Sequence, residues 1–248
     1  MITNSFDKSK PIISLEASYG EKKHILNKCI VIFSNVIYQS MFTTYECEKI
    51  AGIVNCNRIT DIYKFNYNGE DIAFYLTAIG STMASQFVIE CNHLTGATKF
   101  VMFGSAGSLN DKKTKGKFVI PTYAYRDEGM SYHYKKPADY IKIKNSKKVE
   151  KIFKLLKLPH VKGRVWTTDA MLRETVNLFK KRKKEGCIAV DMELAGVQAV
   201  CDYHKLNVYN FLATGDILNE KSYNKEGLSD ANHNLDKLSI ALEIIKRI

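Results

Sequence analysis

The run Phe100-Val101-Met102-Phe103-Gly104-Ser105-Ala106-Gly107-Ser108-Leu109 decides the fold. Its first half is apolar and β-rich, and its second half is built from small residues. The pattern predicts a buried strand that ends abruptly in a Gly-Ser loop. Such a loop has two readings. It is a tight strand-to-loop turn, or it is a cradle whose free backbone N–H groups and hydroxyls suit an oxyanion or a sugar. In an open α/β sheet, ligands sit beyond the carboxyl ends of the strands, where this loop falls.

Upstream, Gly80-Ser81-Thr82 opens a second small-residue loop. A helix is predicted over residues 83–95, with Gly96 as its C-terminal stop. Strand, loop, helix, strand and loop make a β-α-β unit with both loops on one sheet edge. Nearer the N-terminus, residues 29–33 read as a buried strand and residues 36–50 as a helix. Residues 62–67 and 71–78 flank Asn68-Gly69, a strong hairpin signal. Downstream, strands are predicted at 117–121, 163–167, 187–190 and 207–213. Helices are predicted near 147–157, 174–185 and 193–204, with an amphipathic tail over 229–248. Alternating strands and helices define an α/β class with a mixed, mostly parallel sheet.

The chain has 248 residues, 45% of them hydrophobic, which fits one large domain with ample core. No apolar run approaches the roughly 20 residues needed to cross a bilayer. Residues 1–10 carry no signal-peptide pattern, so the expectation is a cytoplasmic protein without a membrane partner. Cys29, Cys47, Cys56, Cys91, Cys187 and Cys201 form no C-x-x-C pair, so no metal site is predicted. The net charge of +11 raises nucleic acid as a partner. Its lysines concentrate in 142–157 and 180–184, however, and read as solvated helix faces, so no nucleic-acid partner is predicted. A basic protein also gathers anionic substrates by steering.

Two further clusters carry chemistry. In Val190-Asp191-Met192-Glu193-Leu194-Ala195-Gly196, two carboxylates flank a methionine where a strand hands over to a helix. They either favour the helix dipole or accept hydrogen bonds from a sugar diol. In Thr214-Gly215-Asp216, a carboxylate follows an apolar strand. It either caps a turn or serves as a general acid.

The order and spacing of these features resemble the nucleoside phosphorylase and nucleosidase superfamily. Gly80-Ser81-Thr82, Gly96 and Phe103-Gly104-Ser105-Ala106-Gly107-Ser108-Leu109 look like its core. Asp191-Met192-Glu193-Leu194-Ala195-Gly196 resembles its Glu-Met-Glu ribose motif, and Thr214-Gly215-Asp216 falls where purine-cleaving members carry a Ser-Asp acid. Tyr125-Arg126-Asp127-Glu128-Gly129-Met130-Ser131-Tyr132-His133-Tyr134 is similar to a segment of the uridine phosphorylases. The resemblance implies a three-layer α/β/α phosphorylase/hydrolase-like catalytic domain over residues 29–248, preceded by an N-terminal extension, 1–28.

It also implies site residues. Met192 and Glu193 would hold the ribose, Glu193 through the 2′ and 3′ hydroxyls. Asp216 would protonate or hydrogen-bond the purine ring nitrogen as the glycosidic bond breaks. Gly80, Gly104 and Ser105 would bind phosphate, with Arg58 lent by a neighbouring subunit. Met171 stands where the family usually stacks an aromatic ring on the base. The resemblance thus implies a pentosyltransferase using nucleoside and phosphate, with phosphate as co-substrate, no other cofactor, and a homo-oligomer, either a dimer or a trimer of dimers.

Three departures bear on this reading. Phosphorylases usually carry an arginine where Met102 stands, and a glycine-rich loop with its own arginine where Phe33-Ser34-Asn35-Val36-Ile37-Tyr38 stands. The alternative is therefore a nucleosidase using water. The acidic N-terminal base motif of nucleosidases is not evident near residue 33, and Glu16 lies too far upstream. The Gln-x-Arg pair that reads uracil is absent after Leu172, so Asp216 points to purine. A binding or sensor protein on the same fold is a third reading, against which Glu193 and Asp216 stand.

Overall fold

The computed structural model describes residues 2–248. In chain order its elements are α1 (Leu15–Tyr19), β1 (Lys28–Ile32), α2 (Asn35–Thr44), β2 (Cys47–Val54), β3 (Ile59–Tyr67), β4 (Glu70–Leu76), α3 (Ser81–Thr95) and β5 (Lys99–Ser108). Then follow α4 (Asp111–Thr114), β6 (Phe118–Asp127), α5 (Ser131–Tyr134), β7 (Tyr140–Lys142), α6 (Ser146–Leu155), β8 (His160–Thr168), α7 (Val176–Lys184) and β9 (Cys187–Asp191). The chain closes with α8 (Leu194–Tyr203), β10 (Asn207–Leu218), β11 (Tyr223–Asn224), α9 (Leu228–His233) and α10 (Asp236–Lys246).

All eleven strands join one mixed sheet. Its centre, β4-β1-β5-β10, is parallel throughout. On one side β2 and β3 extend it as antiparallel strands. On the other, β5, β10, β6, β8 and β9 pair in turn and return to β5, closing a ring.

Alternation along the strands builds the layers. In β1, Cys29 and Val31 face one core, with Phe87, Val88 and Cys91 of α3 and Leu194 and Val197 of α8. Ile30 and Ile32 face the other, with Met41 of α2, Phe153 of α6 and Ala241 and Ile244 of α10. Helices therefore cover both faces, and the architecture is α/β/α.

Strands β6, β8 and β10 run longer than the expected 117–121, 163–167 and 207–213, and three other expectations need correction. The Gly-Ser run is not a loop, because β5 continues as strand to Ser108. Ile32 pairs with Phe103 at the end of β1, and Gly107 and Ser108 then pair with Val190 and Ala189 of β9. The small residues reflect crowding. A Cβ on Gly107 would lie 2.7 Å from Leu218 Cδ1 and 2.9 Å from Val190 Cγ1. Second, the predicted helix over 36–50 stops at Thr44, and residues 47–54 form β2 against β3. Tyr45 turns extended and its N–H ends the helix on Met41 O. Third, the C-terminal amphipathic stretch is two helices broken at Asn234, which is extended, and Leu235 is exposed.

The hairpin is as read. Asn68 and Gly69 both have positive φ, at 54° and 84°, the combination a two-residue hairpin turn requires.

Residues 23–26 add no strand but lie along the end of α3. Lys23 N donates to His93 O, and Ile25 N and Leu26 N donate to Thr95 O. Gly96 makes this fit possible. Its φ is +87°, and a Cβ there would sit 2.9 Å from His24 Cα and 3.0 Å from Lys23 O, both backbone atoms. Gly96→Ala combines left-handed strain with a clash that no side chain can relieve, so it should destabilise the fold by about 2–4 kcal/mol. A urea-denaturation midpoint unchanged from wild type would contradict that packing.

Candidate active site

Beyond Ile32 and Phe103, where β1 ends, a cleft of about 850 Å³ opens. Gly104, Ser105, Ala106 and Gly107 of β5 line it, with no strand paired to Gly104–Ala106 on the β1 flank. Met171, Met192, Glu193 and Asp216 also line it. Six of the residues singled out from sequence therefore meet in one cavity.

Asp216 reaches the cleft through a bulge. Thr214 pairs with Ala106 and Ile217 with Ser108, so Gly215 and Asp216 together oppose Gly107 alone. An extra residue re-aims the side chain out of the ladder. The carboxylate lies over Gly107, where a Cβ would come within 3.2 Å of Asp216 Oδ2. Burial raises the Asp216 pKa, and the Tyr223 hydroxyl opposes the rise.

The two carboxylates of the strand-to-helix cluster have different partners. Asp191 accepts from Thr167 Oγ1 at 2.6 Å, from Glu193 N at 3.1 Å and from Leu194 N at 2.8 Å. It thereby caps the start of α8. Glu193 reaches across the fold, and its Oε1 accepts the Gly80 N–H at 2.7 Å. Beside it, Ser81 Oγ donates to Met192 O at 3.0 Å. Burial and mutual repulsion raise the pKa of Glu193, and burial raises that of Asp191.

Gly80 therefore differs from expectation. Its N–H is engaged by Glu193, and Gly80 does not line the cleft. Arg58 is exposed in the turn between β2 and β3 and does not line the cleft of its own chain. Met102 is 2% exposed and packs in the core with Phe100 and Ala106. Arg126 and Trp166 are structural: Arg126 donates to Ser131 Oγ and to carbonyls at Lys135, Lys136 and Ala138, and Trp166 Nε1 donates to Asp127.

Other cleft residues were not read from the sequence. Glu174 follows the turn at Met171–Arg173 and shares the cleft with Asp216. Burial and the Asp216 charge push its carboxyl up to about 7. From the C-terminal helices come Asn232, His233 and Lys237. Ser105 Oγ donates to Asn232 Oδ1, and His233 Nδ1 lies 2.8 Å from Ser34 Oγ. A signal for Lys237 existed, since it shares a helical face with Ala241 and Ile244, a lysine on the apolar side.

A family model described as the phosphorylase superfamily matches residues 30–246. A DeoD-type purine nucleoside phosphorylase of Exiguobacterium sibiricum is 25% identical over 198 residues, covering 77% of this chain and 83% of the relative. A 5′-methylthioadenosine/S-adenosylhomocysteine nucleosidase of Buchnera aphidicola is 29% identical over 177 residues, covering 65% and 75%. The purine nucleoside phosphorylase structure from Toxoplasma gondii superposes with a TM-score of 0.72 at 18% identity, covering 90% of each chain, a likeness of fold. The chain belongs to the phosphorylase superfamily. Within it, the protein is an enzyme of the nucleoside phosphorylase and nucleosidase class. No helix among the described residues is long and apolar enough to cross a membrane.

The Glu174 environment has a measurable consequence. Its folded pKa, about 7, lies above the ordinary 4.5, so its contribution to stability is fully present below 4.5 and is lost as pH rises through 7. Glu174→Gln should leave Tm near the wild-type value at pH 5 and raise it by about 2–4 °C at pH 8 in phosphate-free buffer. Wild-type and variant curves that stay parallel across that range would show the carboxyl to be solvated.

Proposed function

We propose that this protein cleaves the N-glycosidic bond of a purine nucleoside with inorganic phosphate, releasing free base and ribose 1-phosphate. One observation carries the reading. Ser105 of β5, Asp216 at the bulge of β10 and Glu193 just after β9 come from three separate parts of the sheet and line the same cleft.

Each group then has a task. The C1′–N bond breaks as a C1′–O bond to phosphate forms, through a state with positive charge on the sugar. The departing base gathers negative charge on its ring. Asp216, its pKa raised by burial, holds a proton more readily than a solvated aspartate and delivers it to a purine ring nitrogen. Glu193 accepts hydrogen bonds from the ribose 2′ and 3′ hydroxyls, and Met192 packs beside the sugar. Gly80 acts here through Glu193, whose orientation its N–H fixes. Met171, 58% exposed at the cleft, offers the base an apolar surface. Gly104 and Ser105 contribute backbone and hydroxyl to phosphate, and Arg58 arrives from a neighbouring copy in a dimer or a trimer of dimers.

Hydrolysis of the same bond is the second reading, favoured by the buried Met102 where phosphorylases usually carry an arginine. Product analysis separates the two. Purine nucleoside should be consumed only when phosphate is present, with ribose 1-phosphate as product. Equal rates in phosphate-free buffer, with free ribose released, would establish hydrolysis instead. Asp216→Asn should lower kcat by about 10²- to 10⁴-fold while leaving the nucleoside KM within a few-fold of wild type. Unchanged kcat would reduce Asp216 to a residue of the bulge.

A further inference from the structure

Lys237 is the least expected side chain in the cleft. It is 2% exposed, yet it lines the cavity together with Ser105, Asn232 and Phe103. Its Nζ donates to Ala231 O and, at 3.2 Å, to Asn232 O, and lies 6.0 Å from the centre of the Phe103 ring. An ammonium has three protons, so one remains beyond these two carbonyls. No carboxylate pairs with it among the described residues. A buried cation without a counter-charge is unfavourable, and burial lowers its pKa to about 8, which still leaves it mostly charged at neutral pH.

The neighbours of Lys237 suit an anion. Ser105 Oγ donates to Asn232 Oδ1, which leaves Asn232 Nδ2 without a protein partner among the described residues. Rotation of the Ser105 hydroxyl would turn its proton toward a ligand. An ammonium from α10, a side-chain amide from α9 and a hydroxyl from β5 thus line one part of the cavity, linked through Asn232. A neutral nucleoside has no group to balance the ammonium.

We propose that Lys237, with Ser105 and Asn232, binds the phosphate in this chain and supplies from α10 the positive charge that Met102 and the loop after β1 do not. The proposal rests on the phosphorolytic reading and deepens it. Lys237 also satisfies the last carbonyls of α9, and that structural role has to be kept separate. Lys237→Gln retains N–H donors for the carbonyls and removes the charge. Lys237→Arg retains the charge.

The experiment titrates inorganic phosphate into the wild type and both variants, following Tm and calorimetric heat. Circular dichroism serves as the folding check, and phosphate-dependent cleavage is assayed in parallel. Wild type should bind phosphate, Lys237→Gln at least about tenfold more weakly, and Lys237→Arg within a few-fold of wild type. In the assay, Lys237→Gln should raise the phosphate KM by a similar factor and leave the nucleoside KM unchanged. Should Lys237→Gln fail to fold, Asn232→Ala, which leaves Lys237 in place, should weaken phosphate binding several-fold, and an unchanged affinity there would overturn the proposal. Equal phosphate affinity in wild type and Lys237→Gln would overturn it too, while phosphate-dependent cleavage by the wild type would leave phosphorolysis standing. Lysine-dependent phosphate binding with equal cleavage in phosphate-free buffer would keep the anion site and overturn phosphorolysis. No phosphate binding by the wild type would overturn both.

Discussion

The Gly80 N–H bound to Glu193 Oε1 joins segments 113 residues apart. On one side stands the start of α3, just after the parallel strand β4. On the other stands the start of α8, just after β9 in the closed ring. Ser81 Oγ on Met192 O reinforces the junction. Gly196 lets the helices approach there, since a Cβ would fall 2.9 Å from Ser81 Cβ. Gly80 itself has φ +100°, a conformation that excludes ordinary side chains. A buried carboxylate left without a donor is destabilising by about 1–3 kcal/mol or more. The bond therefore serves the fold and fixes the direction of Glu193 at once.

β5 is the second shared part. Its first half belongs to the open parallel sheet and its second half to the ring. The change of neighbour, from β1 to β9, exposes one flank of Gly104–Ala106 to the cleft. The same change crowds Gly107 between Val190 and Leu218 and sets the Asp216 carboxylate above it. One bulge in β10 thus aims the proposed acid, and one departure of a strand opens the room in which it acts. The carboxyl groups of Glu193, Asp191, Asp216 and Glu174 share this room with the Lys237 ammonium. Burial moves the carboxyls up in pKa and the ammonium down, each toward its neutral form.

Much of this was legible because it is local. Asn68-Gly69 dictates its hairpin through backbone conformation alone, Gly96 marks the end of α3, and the short apolar strands β1 and β9 fall where the sequence puts them. Ser105, Glu193 and Asp216, which line one cleft, each sit in a short patterned motif. What could not be read depends on distant partners. Small residues after Phe103 look like a loop until β9 and β10 are known to press on both sides. Residues 47–50 look helical until β3 offers a ladder. Glu174 has no motif of its own, and its raised pKa comes from a cavity assembled by other strands. Lys237 lies in a segment whose amphipathic pattern directs attention to its leucines and isoleucines, although a lysine on that face is itself anomalous.

The two proposed cations differ in what they require. Arg58 stands in an exposed turn flanked by Val54 and Ile59, 61% and 60% exposed. The cleft of one chain is edged by Ile79, Met171, Leu172 and Val176, all exposed apolar side chains. Exposed apolar surface of this kind suits burial against a partner, and the proposed loan of Arg58 requires that partner to be a second copy. Lys237 needs no such partner, because α10 is packed into the core of its own chain through Leu238, Ala241, Ile244 and Ile245. On the proposed reading, a lone chain holds one positive charge beside Ser105, and Arg58 of a second copy would add another. Phosphate affinity should then rise with assembly but not vanish on dilution, whereas a site built on Arg58 alone would lose its only cation when the copies separate.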